Sequence, residues 1–290
     1  MMDLRTAGEL LDFSARIGPG QRAEEQLEGA VALHNILERE RVAYLADEVG
    51  MGKTYVALGA MALFRHVQPD FRVLVIAPRE NIQGKWMKEL GNFVRHNVRF
   101  ADLRVKAIDG RPARQMIKCE SLVSLVHEAA LNPNRDFFAR LTSFSLAVGG
   151  KDSVDVEAAQ RLRRELRKTL PWIGDGVFDL RSRKDFKDNG ARASCCALPV
   201  FDLVIVDEGH NLKHGFSDSA SARNRVLAIA MGHPEGRAGA ALFPHYGPPA
   251  RRVLLERLLA DPGEDLERRL FTRSSGHHLA GQIYRLIFPD

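Results

Sequence analysis

The feature that most constrains this chain is Leu45-Ala46-Asp47-Glu48-Val49-Gly50-Met51-Gly52-Lys53-Thr54. Val42–Ala46 reads as a short apolar strand, Asp47–Gly52 as a glycine-containing loop, and Thr54–Phe64 as a mostly apolar helix. A strand, a glycine loop and a helix in that order build a cradle for phosphate. Glycines let the backbone turn tightly and bring its N–H groups close to an anion. The helix start adds its unpaired amides and the positive end of its dipole. Lys53 has the reach for β- and γ-phosphates, and the Thr54 hydroxyl suits Mg²⁺. Asp47 stands where the pattern G-x-x-x-x-G-K-[ST] has its first glycine, so the motif rests on Gly50, Gly52, Lys53 and Thr54, with Met51 between the glycines.

A second motif answers the first. Phe201–Val206 is a near-continuous apolar run, which suits a central strand of a parallel sheet, and Asp207-Glu208-Gly209-His210 follows it. Open α/β sheets bind ligands beyond the carboxyl ends of their strands. Asp207 there would hold Mg²⁺, and Glu208 would orient and deprotonate an attacking water. One carboxylate cannot do both, so an adjacent pair makes chemical sense. His210 would sense the nucleotide or couple it to another site.

The rest of the chain alternates strand and helix patterns, which argues for a layered α/β fold. Helices are expected at Glu24–Arg39, Asn81–Leu90, Leu122–Leu131 and Val154–Leu170. Strands are expected at Phe71–Ala77 and Val105–Ile108, the latter ended by Asp109-Gly110; Lys184–Ala193 reads as polar and irregular.

Composition narrows the class further. With 290 residues, 45% hydrophobic and 27% charged, the chain is neither disordered, collagen-like nor a coiled coil. Its longest stretch without Asp, Glu, Lys or Arg, Ala238–Ala250, is far short of the roughly 20 apolar residues that span a bilayer. No secretory signal opens the sequence. The three cysteines cannot form a disulfide framework and read as reduced thiols in a cytoplasmic protein. Cys lies at no ligand spacing from His277 and His278, so a zinc site has no support. Between Arg161 and Arg192 there are ten Lys/Arg and five acids, a local surplus equal to the +5 of the whole chain. That is either a phosphate-backbone footprint or a solvated helix face. Trp86 and Trp172 either stack on bases or anchor helices.

Together these residues resemble superfamily 2 helicases and translocases, and among them the Swi/Snf-like ATPases. Leu45–Thr54 looks like motif I (Walker A) of that group, where Asp fills the first glycine slot. Asp207-Glu208-Gly209-His210-Asn211-Leu212-Lys213 looks like motif II, the DEAH-type Walker B box. Val73-Leu74-Val75-Ile76-Ala77-Pro78-Arg79, followed by Trp86 and Glu89-Leu90, resembles motif Ia, and Gln26-Leu27-Glu28-Gly29-Ala30 resembles the upstream helix whose glutamine contacts adenine. The resemblance covers roughly residues 21–255.

It implies a single RecA-like P-loop lobe over 1–255, a parallel sheet flanked by helices, with a largely helical basic insertion at about 110–199 and a tail of unassigned fold at 256–290. It implies ATP and Mg²⁺ as ligands. Gly50, Met51, Gly52, Lys53, Thr54, Gln26 and His210 would contact nucleotide, Thr54 and Asp207 would hold the metal, and Glu208, Asp207 and Lys53 would carry hydrolysis. It implies movement along nucleic acid, for this subgroup duplex DNA. A second RecA-like lobe is expected in another chain or in a longer form of this one, because no motif for it follows Leu255. Two alternatives stay open: a nucleotide- or DNA-binding module with little turnover, and a P-loop ATPase outside the helicases.

Overall fold

The computed structural model describes residues 1–40, 43, 45, 52–99, 103–146, 155–169, 171, 178, 180–199, 201–207 and 221–230, without the side chains of 16, 40, 169, 192, 195 and 196. The chain divides into two compact units. The first comprises Met1–Phe71, Glu80–Met116 and Asn134–Asp136; the second comprises Arg72–Arg79, Ile117–Pro133 and Phe137–Asp290.

The first unit is helical: α1 (Leu4–Leu10), α2 (Ser14–Ile17), α3 (Gln21–Glu40), α4 (Lys53–Val67) and α5 (Glu80–Asn97). The Asp3 carboxylate caps α1 by accepting from the Thr6 N–H at 2.8 Å. α3 and α4 approach closely because both are small at the crossing. A β-carbon at Gly59 would lie 2.8 Å from both the Ala30 Cβ and the Phe13 ring, and one at Gly29 would touch Val56 at 3.4 Å. Phe93 of α5 receives Phe13 and Tyr55 edge-on, with ring centroids 5.7 and 5.6 Å away. The buried charges of this unit are gathered in one place. The Arg65 guanidinium donates to the Asp136 carboxylate at 2.9 Å and to the Phe71 carbonyl at 2.7 Å. The Arg114 side chain donates to the Asn134 carbonyl at 3.0 Å and lies 3.9 Å from the same carboxylate.

The second unit carries the sheet apart from the first residues of two strands, Met116 and Asp136; its strands are β1 (Val73–Ala77), β2 (Met116–Cys119), β3 (Asp136–Arg140) and β4 (Leu203–Val206) in the order β2-β3-β1-β4. β1 runs parallel to both neighbours, with Val75 level with Phe138 on one side and Ile205 on the other. All five β1 residues are buried, as expected of a parallel strand covered on both faces. α6 (Leu122–Leu131) starts with a reciprocal Ser121–Ser124 capping box. α7 (Val156–Thr169), α8 (Arg183–Ala197) and α9 (Ala222–Ala230) complete the helices. Leu74, Ile76, Phe137, Leu125, Phe144, Leu166, Phe186 and Val226 belong to one apolar core. The architecture is that of a single RecA-like α/β lobe, a parallel sheet flanked by helices. Among the described residues no helix is long and apolar enough to cross a membrane.

Several elements differ from the sequence reading. Val105–Ile108 is no strand. Lys106 bridges Pro112, and the Ala107 N–H donates to the Arg111 carbonyl at 2.8 Å across the Asp109-Gly110 turn, which closes too soon for a strand to grow. Lys184–Ala193 is regular helix, part of α8, capped by the Ser182 hydroxyl. The sheet takes β2 and β3 from within residues 110–199, the stretch read as an insertion. The central place expected for Phe201–Val206 belongs, among the described strands, to β1, with β4 at the end. Of the strand expected at Val42–Ala46, only Ala43 and Leu45 are described, and neither is in a strand.

Candidate functional site

The first unit carries one half of the expected site. Gly52 sits at φ +88°, the left-handed region, and heads α4. Its carbonyl accepts from the Tyr55 and Val56 N–H groups at 2.8 and 3.1 Å, so the helix is wound from its first residue. Lys53 and Thr54 are the first two residues of α4 and are half-buried. No acidic side chain lies in the first turn, and Gly52 supplies no side-chain cap. A helix start of that kind suits an anion.

Gln26, buried in α3, lies against Gly52. A β-carbon there would collide with its side-chain carboxamide. The backbone angle is what calls for glycine here; the carboxamide at the end of the Gln26 side chain would have to move aside for any larger residue. The unit brings together Gln26, Gly52, Lys53 and Thr54, four of the residues singled out from sequence. Gly29 and Gly59, which let α3 approach α4, carried no local signal of that role.

The second unit carries Asp207. It follows β4 directly, is half-buried, and its N–H donates to the Ile76 carbonyl at 2.8 Å. That bond continues the β1–β4 ladder past the Ile76–Val206 pair and seats Asp207 at the carboxyl edge of parallel strands. Asp47, Gly50, Met51, Glu208 and His210 lie outside the described residues, as does Trp172.

The basic window is largely occupied with its own neighbours. Arg161 pairs with Glu157 at 3.4 Å and Lys168 with Glu165 at 2.7 Å, the latter bond holding the Glu165 carboxyl below its ordinary range. The Arg163 and Arg167 guanidinium groups lie 5.8 and 6.0 Å from the Phe178 ring centroid. Lys187 is buried and donates to the Ser145 carbonyl at 2.8 Å; burial, with help from Arg183, holds its ammonium below the ordinary value. Asp188 accepts a two-pronged bond from Arg225. Trp86 is 4% exposed and anchors α5 in the core. Among the described residues no group of three or more His, Cys, Asp and Glu could hold a metal ion.

A family model described as type III restriction enzyme, res subunit, matches residues 21–230. The span runs from the start of α3 to the end of α9 and includes Gln26, Gly52, Lys53, Thr54 and Asp207. No curated protein and no solved structure matches the chain.

Proposed function

We propose a function on one premise: the chain belongs to the type III restriction enzyme res subunit family, a helicase-like ATP-binding module of superfamily 2. Within that family we read it as the ATP-binding lobe of an ATP-dependent translocase or helicase of the Swi/Snf-like type, acting on duplex DNA in the cytoplasm and hydrolysing ATP.

One observation carries the nucleotide half of this reading. Gly52 is left-handed, heads α4, and has the Gln26 carboxamide packed against it. A backbone so pinned at a helix start with no acid in its first turn fits a polyphosphate. In this reading Gly50, Met51 and Gly52 wrap the phosphates, Lys53 neutralises the β- and γ-oxygens, and Gln26 and His210 contact the nucleotide. Thr54 and Asp207 would hold Mg²⁺, which when bound offsets charge developing on the transferred phosphoryl group. Glu208 takes the proton of the attacking water. A second RecA-like lobe, from another chain or a longer form of this one, would supply the arginine that in related NTPases is worth on the order of 10³–10⁵ in rate.

The test is Mg-ATP hydrolysis by the purified chain with and without duplex DNA, beside Lys53→Ala. DNA-stimulated turnover that the variant lacks is the expected result. ATP binding with only background turnover, with or without DNA, would favour the second reading, a module that holds nucleotide and does little chemistry by itself. No ATP binding by the parent chain would end both.

A further inference from the structure

Three helices of the first unit end close together: α1 at Leu10, α4 at Val67 and α5 at Asn97. Leu11, Leu63, Val98 and Val105 wall a small, partly open hollow there, with His66 among its lining residues, and its surface is almost wholly apolar. His66 lies near the far end of α4 from Lys53, about 20 Å away at 1.5 Å per residue, so the hollow is no part of the glycine-headed helix start. Its rim is apolar too. Val67 follows His66 and is 66% exposed; Leu103 precedes Arg104 and is 63% exposed. The Arg104 guanidinium donates to His66 Nδ1 at 2.9 Å, which brings these two stretches of chain to the same rim.

The charge around the hollow is positive. From Arg95 to Arg111 the chain has five Lys/Arg and two Asp. Lys106 is committed to the fold: its ammonium donates to the Arg95 and Val98 carbonyls at 3.0 and 2.9 Å and closes the end of α5. Arg99 donates to the Leu11 carbonyl at 3.3 Å and lies 3.8 Å from Asp12, with half of its side chain still exposed. Asp109 lies 3.5 Å from Arg111. Arg95, one helical turn before Val98, and Arg104 are exposed. An apolar hollow rimmed by cations is selective. A phosphate backbone uses the cations but leaves the hollow, Val67 and Leu103 in water. A bilayer accepts apolar side chains that protrude, such as the 88% exposed Ile108 on the neighbouring turn, but does not fill a hollow. A protein segment with carboxylates on either side of an apolar residue satisfies both features.

We propose that this end of the first unit is a docking surface for an acidic segment of another protein, whose apolar side chain enters the hollow beside Leu103 while its carboxylates meet Arg95, Arg99 and Arg104. The assignment does not depend on the nucleotide reading above, since none of these residues belongs to that site.

The experiment measures, by fluorescence anisotropy, binding of the full chain to a labelled synthetic peptide of four glutamates around one leucine, and to its counterpart with serine in place of leucine. The leucine peptide is expected to bind roughly tenfold more tightly, as burial of part of an apolar side chain allows. The variant Arg95→Gln/Arg99→Gln/Arg104→Gln is expected to bind it roughly 3- to 150-fold more weakly, because three exposed ion pairs are each worth a factor of about 1.4 to 5. Leu103→Ser, an exposed change, should narrow the gap between the two peptides, and Arg161→Gln/Arg164→Gln/Lys168→Gln on α7 should bind as the parent does. Unchanged far-UV circular dichroism and melting temperature establish that the variants are folded. Equal affinity for the two peptides, an Arg95/Arg99/Arg104 variant that binds like the parent, or no binding of either peptide at millimolar concentration overturns the proposal. Binding of a duplex oligonucleotide or of vesicles rich in anionic lipid that the same triple variant loses, with neither peptide bound, overturns it in favour of nucleic acid or a membrane surface.

Discussion

Gln26 and Gly52 share one small volume: the carboxamide of the first fills the place where any side chain on the second would begin. The left-handed angle of Gly52 is the stricter limit on what can stand at the head of α4, since the carboxamide sits at the end of a flexible side chain. Gly52→Ala is expected to lower stability by about 1–2 kcal/mol, the cost of a left-handed conformation to an L-residue, and to weaken ATP binding where the helix head is displaced. The double variant Gln26→Ala/Gly52→Ala removes the collision and keeps the backbone cost, so it should recover part of the loss in stability but not all of it. Thermal melts and ATP titrations of the two singles and the double make the cycle.

Glu208→Gln should bind Mg-ATP as the parent does and lose about 10²–10⁴ of the hydrolysis rate, the usual contribution of a positioned base. Lys53→Ala should lose binding as well. If Glu208→Gln turned over ATP at the parental rate, the base would have to be sought elsewhere.

Asp136 is fully buried between two guanidinium groups, with Arg65 at 2.9 Å and Arg114 at 3.9 Å. Removing one partner of such a group strands charge in a medium that solvates it poorly. Asp136→Ala is therefore expected to cost about 3–5 kcal/mol, read as a lowered denaturation midpoint. Replacing an exposed acid such as Glu157 should change stability by less than about 0.5 kcal/mol.

His34 of α3 lies over Phe64 of α4, with ring centroids 4.2 Å apart, and is 4% exposed. Burial holds its imidazole below the ordinary value of 6.5, against opposing pulls from Asn35 and Glu38. The unfolded chain then takes up the proton first as pH falls, so stability declines with acid from about pH 6.5 and levels off below the folded pKa. Melting temperatures from pH 8 to pH 5 should show this decline, and His34→Gln should flatten it.

Patterns that a single element imposes on its own residues were readable in advance. Leu122–Leu131 is a helix over the bounds its apolar spacing predicts, and Val73–Ala77 is the buried strand that its β-branched run predicts. β3 was not readable, because charged residues flank a core of only Phe137, Phe138 and Ala139. α8 was not readable either: its polar run becomes helical because Phe186, Ala191 and Ala193 reach a core built from distant residues. The site divides in the same way. Lys53 and Thr54 stand out through local glycine spacing and Asp207 through the strand before it. That Gln26 touches Gly52 is a product of how α3 crosses α4, set by Gly29, Ala30, Val56 and Gly59 together.

The bond from Asp207 to Ile76 also has a temporal meaning. At the other end of the same strand pair, Arg72 donates to Asp202 across 130 residues of chain. Closing so long a loop must precede any reward from the pairing, which makes it a late and slow event in folding. Gln26 and Gly52 meet through two helices that are neighbours in sequence. A chain gaining its structure from the N-terminus onward therefore completes its glycine-lined helix start first, and acquires the acid beyond β4 only once everything between has found its place.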